Sequence, residues 1–258
     1  MSEYRIYEFK APNNGGPDWK NVVTSVLPTL GIILVVWILT MGVGATISGF
    51  SSKLLTMPIF VVSLVLHELS HAYMANFLGD PTPRLTGRLS LNPLKHLDLW
   101  GTLLFIFCGF GWAKPVQVDA NYFKKPDRAM VSVALAGPLC NFLLAVFGAL
   151  LFKASYTFLN IKDYLSLLLN FCWAISYINI MLAVFNLLPI PPLDGSRLVH
   201  YLLPKQYKAK YYQIAREYSI IIFIAVFLWA GKAINPITIQ LTESLWNLFG
   251  LSIRFSSF

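Results

Sequence analysis

Residues 26–45, 57–78, 129–152 and 165–188 are apolar runs of twenty residues or more, and Glu68 is the one carboxylate, Lys or Arg among them. A helix needs about 20 apolar residues to cross roughly 30 Å of hydrocarbon, so each run is long enough to span a bilayer. Residues 218–234 form a shorter fifth run. Residues 237–253 read equally as a sixth span or as an interfacial helix, because Pro236 and Glu243 interrupt them. Residues 99–110 are apolar but too short to cross, and Gly109, Gly111 and Pro115 follow. Such a segment fits a re-entrant loop whose backbone is satisfied by protein or water. The expected fold is an all-α polytopic membrane protein with five to six transmembrane helices.

Composition agrees. Charged residues make up 12% of the 258-residue chain, about half the ~25% usual in soluble domains. That deficit and a mean hydropathy of +0.61 argue against a soluble enzyme, a disordered chain or a nucleic-acid-binding module. The net charge of +8 does not point to nucleic acid, since Lys and Arg lie between the apolar runs. Residues 79–128 hold seven of them and residues 189–216 hold five, whereas 47–56 and 153–164 hold only Lys53, Lys153 and Lys162. By the positive-inside rule the two rich loops face the cytoplasm together with the N-terminus. The expected setting is the cell membrane.

Cys108, Cys140 and Cys172 are scattered and odd in number, which suits packing better than a disulfide or metal framework. The N-terminal segment is polar and mixed in charge, so a cleaved secretory signal is not expected. The chain reads as one membrane domain: a polar segment 1–25, a first helix and loop 26–56, a core 57–197 and C-terminal helices 198–258.

The chemistry is concentrated in the second run, which contains His67-Glu68-Leu69-Ser70-His71. On a helix, residues four apart share a face, so His67 and His71 can grip one metal ion. Glu68 stands beside the open position, where it can take a proton from water. Ionisable groups are expensive inside a bilayer and are usually functional there. A catalytic zinc takes three protein ligands, and Asp80, His96, Asp98, Asp194 and His200 are the candidates for the third. Asp80 follows Gly79 at a helix end and reads as a turn or cap; His96 and Asp98 lie in the basic loop. Asp194, in FNLLPIPPLDGSR, follows the fourth run where prolines and a glycine let the backbone turn back toward the membrane. His200 is the alternative.

HELSH and NLLPIPPLDG together resemble the HExxH and NxxPxPxLDG motifs of the site-2 protease family of intramembrane zinc metalloproteases, in the order that family shows them. NPLKHLDLWGTL, GWAKPV and AGPLCN resemble its small members that lack PDZ and CBS domains. The resemblance covers about residues 57–197. It implies one zinc per chain, held by His67, His71 and Asp194, with Glu68 as general base. It also implies a three-helix core formed by 57–78, 129–152 and 165–188. Residues 108–118 would form a hairpin-like loop that offers a strand edge to an extended transmembrane substrate. Gln117 departs from the proline that family members often have there.

Asn141 and Asn186 are secondary candidates. An amide can hold a substrate carbonyl or developing oxyanion, or it can bond between helices. The expected activity is hydrolysis of a peptide bond in or near a membrane span, as in regulated intramembrane proteolysis. The partners are the substrate and the lipid bilayer, without nucleic acid, and the oligomeric state is open. Rival readings are a metal-ion transporter and a catalytically silent scaffold. The transporter predicts polar ligands repeated along a path, and no such repeat is present. A CAAX-type protease would need a glutamate in ExxxD spacing, which Glu217 and Glu243 lack.

Overall fold

A computed structural model describes residues 43–99, 101–102, 113–158 and 165–251. Among these residues the regular elements are helical: α1 (Val43–Phe77), α2 (Thr82–Leu85), α3 (Pro126–Phe158), α4 (Leu165–Asn186), α5 (Gly195–Leu202) and α6 (Lys205–Leu248). Short 3-10 turns occupy Pro93–Lys95 and Ala120–Tyr122. The β pairing described is a single antiparallel bridge between Leu97 and Ala113. Three stretches are long and apolar enough to cross a membrane: Thr56–Phe77, Pro126–Phe158 and Leu167–Asn186. They match the second, third and fourth apolar runs, and the chain is an all-α polytopic membrane protein. Residues 26–42 of the first run and 108–112 of the expected loop lie outside the described residues; residues 113–118 are irregular apart from the bridge at Ala113.

The chain divides into two compact units, Met1–Met57 with Asp98–Trp112 and Pro58–Leu97 with Ala113–Phe258. The packing between helices described below belongs to the second. Hydrophobic burial between helices cannot drive association in lipid, so close approach depends on small residues and polar bonds. The α3–α4 contact has both. Ala145 and Ala149 are fully buried. A Cβ on Gly148 would stand 2.7 Å from Ser176 Oγ and 2.8 Å from the carbonyl of Cys172. Ser176 Oγ donates to the Ala145 carbonyl at 2.9 Å. The opposite side of α3 presents Leu139, Phe142, Leu143, Phe147 and Leu150, all exposed, as a lipid-facing helix should.

The C-terminal part differs from expectation. Residues 218–234 and 237–253 are not two elements: α6 runs continuously through Pro236. A proline removes one backbone N–H but does not have to end a helix that neighbours hold. Here the far half is pinned by Trp246, which is fully buried against Phe152 and Trp173 and donates from Nε1 to Ser176 Oγ at 2.9 Å. Cys140 and Cys172 are free thiols, half-buried and buried.

Candidate metal centre

Helix α1 turns Ser63, His67 and His71, four residues apart, onto one buried stripe. The two imidazoles meet edge-on with their Nε2 atoms 3.0 Å apart. Asp194 Oδ2 lies 3.2 Å from Nε2 of His67 and 3.3 Å from Nε2 of His71. These three side chains form one group whose ligand atoms all lie within 4.8 Å of one another.

The route by which Asp194 reaches the histidines is local. After α4 ends at Asn186, a tight run of turns carries Leu187–Leu193 back, with the Pro191–Pro192 bond cis. Asp194 then occupies the N-cap of α5, yet its carboxylate makes no capping bond and points to the histidines instead. An aspartate at this position ordinarily accepts from the first-turn N–H groups. Gly195 makes the approach feasible, because a Cβ there would overlap the Leu187 backbone carbonyl.

The protonation pattern at the rings suits a cation. His71 Nδ1 faces the carbonyl of Val133 at 2.7 Å, and His67 Nδ1 bonds Asn141 Oδ1. Both partners accept, so each ring carries a proton on Nδ1 and, when neutral, presents the Nε2 lone pair. Asp194 Oδ2 is buried and has no hydrogen-bond donor. With both rings neutral, three lone-pair atoms converge, an arrangement that fits zinc bound by two imidazoles and a carboxylate; without a cation, a proton on Nε2 can stand between a ring and the carboxylate. Burial works against ionisation of Asp194, but its charge interactions and hydrogen bonds with His71 and His67 prevail and hold the carboxyl below the usual carboxylate range. Beneath the rings lies Gly137 of α3; a Cβ there would stand 2.6 Å from Cε1 of each histidine.

Glu68 sits one residue along, half-buried, and its Oε2 accepts the Val116 backbone N–H at 3.2 Å. The segment carrying Val116 is tied on both sides. Lys114 N–H donates to the His96 carbonyl at 2.7 Å, and Asp119 N–H donates to Asp80 Oδ2 at 2.8 Å. The buried Arg88 guanidinium donates to the carbonyls of Lys95 and Lys114. Burial draws that guanidinium below its ordinary pKa, against the charge of Glu68.

The remaining sequence candidates fall elsewhere. Asp80 is fully buried and accepts from Thr82 as well as Asp119, a turn role. His96 is fully buried against the Ser90 carbonyl, and Asp98 accepts from Gly101 N–H. His200 lies buried on α5 outside the cluster; burial first and then Lys208 lower its pKa. The Asn141 amide is engaged at both ends, by His67 and Asn179. Asn186 Nδ2 donates to the Leu182 carbonyl at 2.9 Å. Sequence reasoning misses Asn179, Ser63 and the Val116 N–H. Only Asn179 leaves a trace, an amide within an apolar run, where an unbonded polar group would be costly.

A histidine pair on a helix of membrane length and an aspartate at a later helix start thus form a cluster that could hold a metal ion. The sequence profile of peptidase family M50 matches residues 55–230, and the chain belongs to that family. It is similar to "Putative zinc metalloprotease YwhC" of Bacillus subtilis, 43% identical over 170 residues covering 65% of this chain and 77% of the relative. It is also similar to "Putative zinc metalloprotease Rip2" of Mycobacterium tuberculosis, 31% identical over 210 residues covering 77% of this chain and 75% of the relative. "Zinc metalloprotease MJ0392" of Methanocaldococcus jannaschii is 28% identical over 190 residues, covering 73% of this chain and 46% of that protein. No solved structure matches the chain. The protein is a zinc metalloprotease with a site-2 protease type of sequence and no PDZ or CBS domain matched.

Proposed function

We propose that this zinc metalloprotease is an intramembrane endopeptidase that cleaves a peptide bond in or near the transmembrane segment of another membrane protein. The observation that carries the reading is the location of the cluster. His67 and His71 lie within Thr56–Phe77, a stretch apolar enough to cross a bilayer, and Asn141 lies within another. A metal cluster at that depth suits a membrane-borne substrate better than a soluble one.

In this reading His67, His71 and Asp194 hold one zinc. Zinc supplies a Lewis acid that polarises the scissile carbonyl and acidifies the attacking water. Glu68 takes the proton as the water oxygen attacks the carbonyl carbon, and delivers it to the amine nitrogen as the C–N bond breaks. The Val116 N–H keeps one Glu68 oxygen oriented and leaves the other for the proton. Asn186, half-buried and bonded through one N–H, has a second N–H for a substrate carbonyl. The loop charges support an orientation with the basic segments, the N-terminus and the site's mouth on the cytoplasmic side of the cell membrane. Cleavage there would release a cytoplasmic fragment, as regulated intramembrane proteolysis requires.

The test is reconstitution in vesicles with tagged single-span membrane proteins, followed by mass spectrometry of the products. Fragments ending within or at the edge of the apolar segment, lost in Glu68→Gln with zinc retained, are expected. Cleavage restricted to soluble peptides, or undiminished in Glu68→Gln, would overturn the reading.

A further inference from the structure

Ser63, Asn141 and Asn179 are almost fully buried among the helices, and none of the chemistry above uses the Ser63–Asn179 pair. They form one hydrogen-bonded chain across α1, α3 and α4 that terminates on His67. The direction of every bond in it is set from the far end, because a backbone carbonyl can only accept. Ser63 Oγ donates to the Ile59 carbonyl at 2.7 Å, so it offers Asn179 an acceptor. Asn179 Nδ2 stands 2.9 Å from Ser63 Oγ and 2.9 Å from the Ile175 carbonyl. Its Oδ1 must then face Asn141, whose Nδ2 donates to it at 2.8 Å. Asn141 is left with only its Oδ1 for His67, and that oxygen bonds Nδ1.

We infer that Ser63–Asn179–Asn141 is a positioning relay that fixes the tautomer and ring angle of His67 for the metal. Two carbonyls of ordinary helix backbone, at Ile59 and Ile175, thereby dictate that the Nε2 lone pair of His67 faces Asp194. Asn179 sets zinc affinity through Asn141. The inference rests on zinc ligation by His67. A packing role alone would cost helix stability when either asparagine is truncated, with no link between that cost and the metal.

The full-length chain in detergent is titrated with zinc against a chromophoric chelator, and metal-free melting is recorded for each variant. The set is wild type, His67→Ala, Asn141→Ala, Asn179→Ala and the double asparagine variant. Asn141→Ala should weaken zinc binding by about 10- to 100-fold, the range for groups behind a metal-binding histidine. Asn179→Ala should weaken it by about the lower end of that range. The double variant should bind no more weakly than Asn141→Ala, since both changes break one chain. Unchanged zinc affinity in both single variants, with His67→Ala defective, would overturn the relay. If His67→Ala binds zinc like wild type, the ligand assignment fails instead. A second measurement needs no variant to fold: nitrogen-15 NMR of histidine-labelled, metal-free wild type. Nδ1–H at His67 is expected before zinc is added, and a ring protonated on Nε2 alone would overturn the relay.

Discussion

Nε2 of His67 and Nε2 of His71 stand 3.0 Å apart with both Nδ1 atoms turned outward onto acceptors. Zinc would satisfy at once the three ligand atoms that converge there, the two Nε2 atoms and an Asp194 carboxylate oxygen. Metal binding and fold stability are therefore coupled. Chelation should lower the melting temperature and zinc should restore it. At 100 times its Kd, zinc stabilises the folded state by about 2.7 kcal/mol. Differential scanning fluorimetry in detergent reads the shift, which should vanish in His67→Ala. A zinc-independent melt in wild type would contradict the coupling.

Asp194→Asn keeps the size of the side chain and one oxygen while removing the charge. Burial opposes ionisation of Asp194, and the histidines more than offset it. A depressed carboxyl is ionised above its ordinary pKa and protonates only as the pH falls through its lowered value. Asp194 is thus a carboxylate across about pH 5 to 8. The variant should bind zinc more weakly at every pH in that window, by at least about tenfold. Convergence of variant and wild type at the acid end would show that Asp194 titrates within the window. Zinc titrations at several pH values decide it.

Two glycines of α3 make a matched pair. A Cβ on Gly137 meets Cε1 of both histidines, and one on Gly148 meets Ser176 and the Cys172 carbonyl. Overpacking costs about 1–3 kcal/mol at either place, but the readouts should separate. Gly148→Ala should lower the melting temperature of the metal-free protein and leave zinc affinity intact. Gly137→Ala should displace the rings and weaken zinc by about tenfold or more. Equal zinc affinity in the two variants would mean that the rings move aside without loss.

Much of this was readable in the sequence, for identifiable reasons. Three of the apolar runs became membrane-length helices because length and hydropathy alone decide such elements. His67 and His71 were legible because helix periodicity fixes their shared face. Asp194 was legible only as one of several candidates, since the chain between Asn186 and Gly195 turns through contacts that have no period. Pro236 misled because proline signals a helix end locally, whereas burial of Trp246 against Phe152 and Trp173 carries α6 past it. Asn179 was hidden for a similar reason: its value lies in meeting Asn141, 38 residues earlier, at 2.8 Å.

The backbone donor on Glu68 yields the last prediction. Val116 N–H lies 3.2 Å from Glu68 Oε2, and Val116 follows Pro115 in a segment clamped by Arg88, His96 and Asp80. Val116→Pro deletes that donor, and the segment is irregular, with no helix or ladder bond for a proline to break. Hydrogen bonds to charged groups contribute about 1.5–3 kcal/mol. If the bond is kept through the proton transfer, its loss should lower kcat by about 10- to 100-fold, given about 1.4 kcal/mol per factor of ten. Zinc affinity should be unchanged, because none of the three ligands touches Val116. Arg88→Gln should act in the same direction but more weakly, since His96 still grips Lys114. A Val116→Pro variant with full kcat would show that Glu68 finds its working orientation without the backbone.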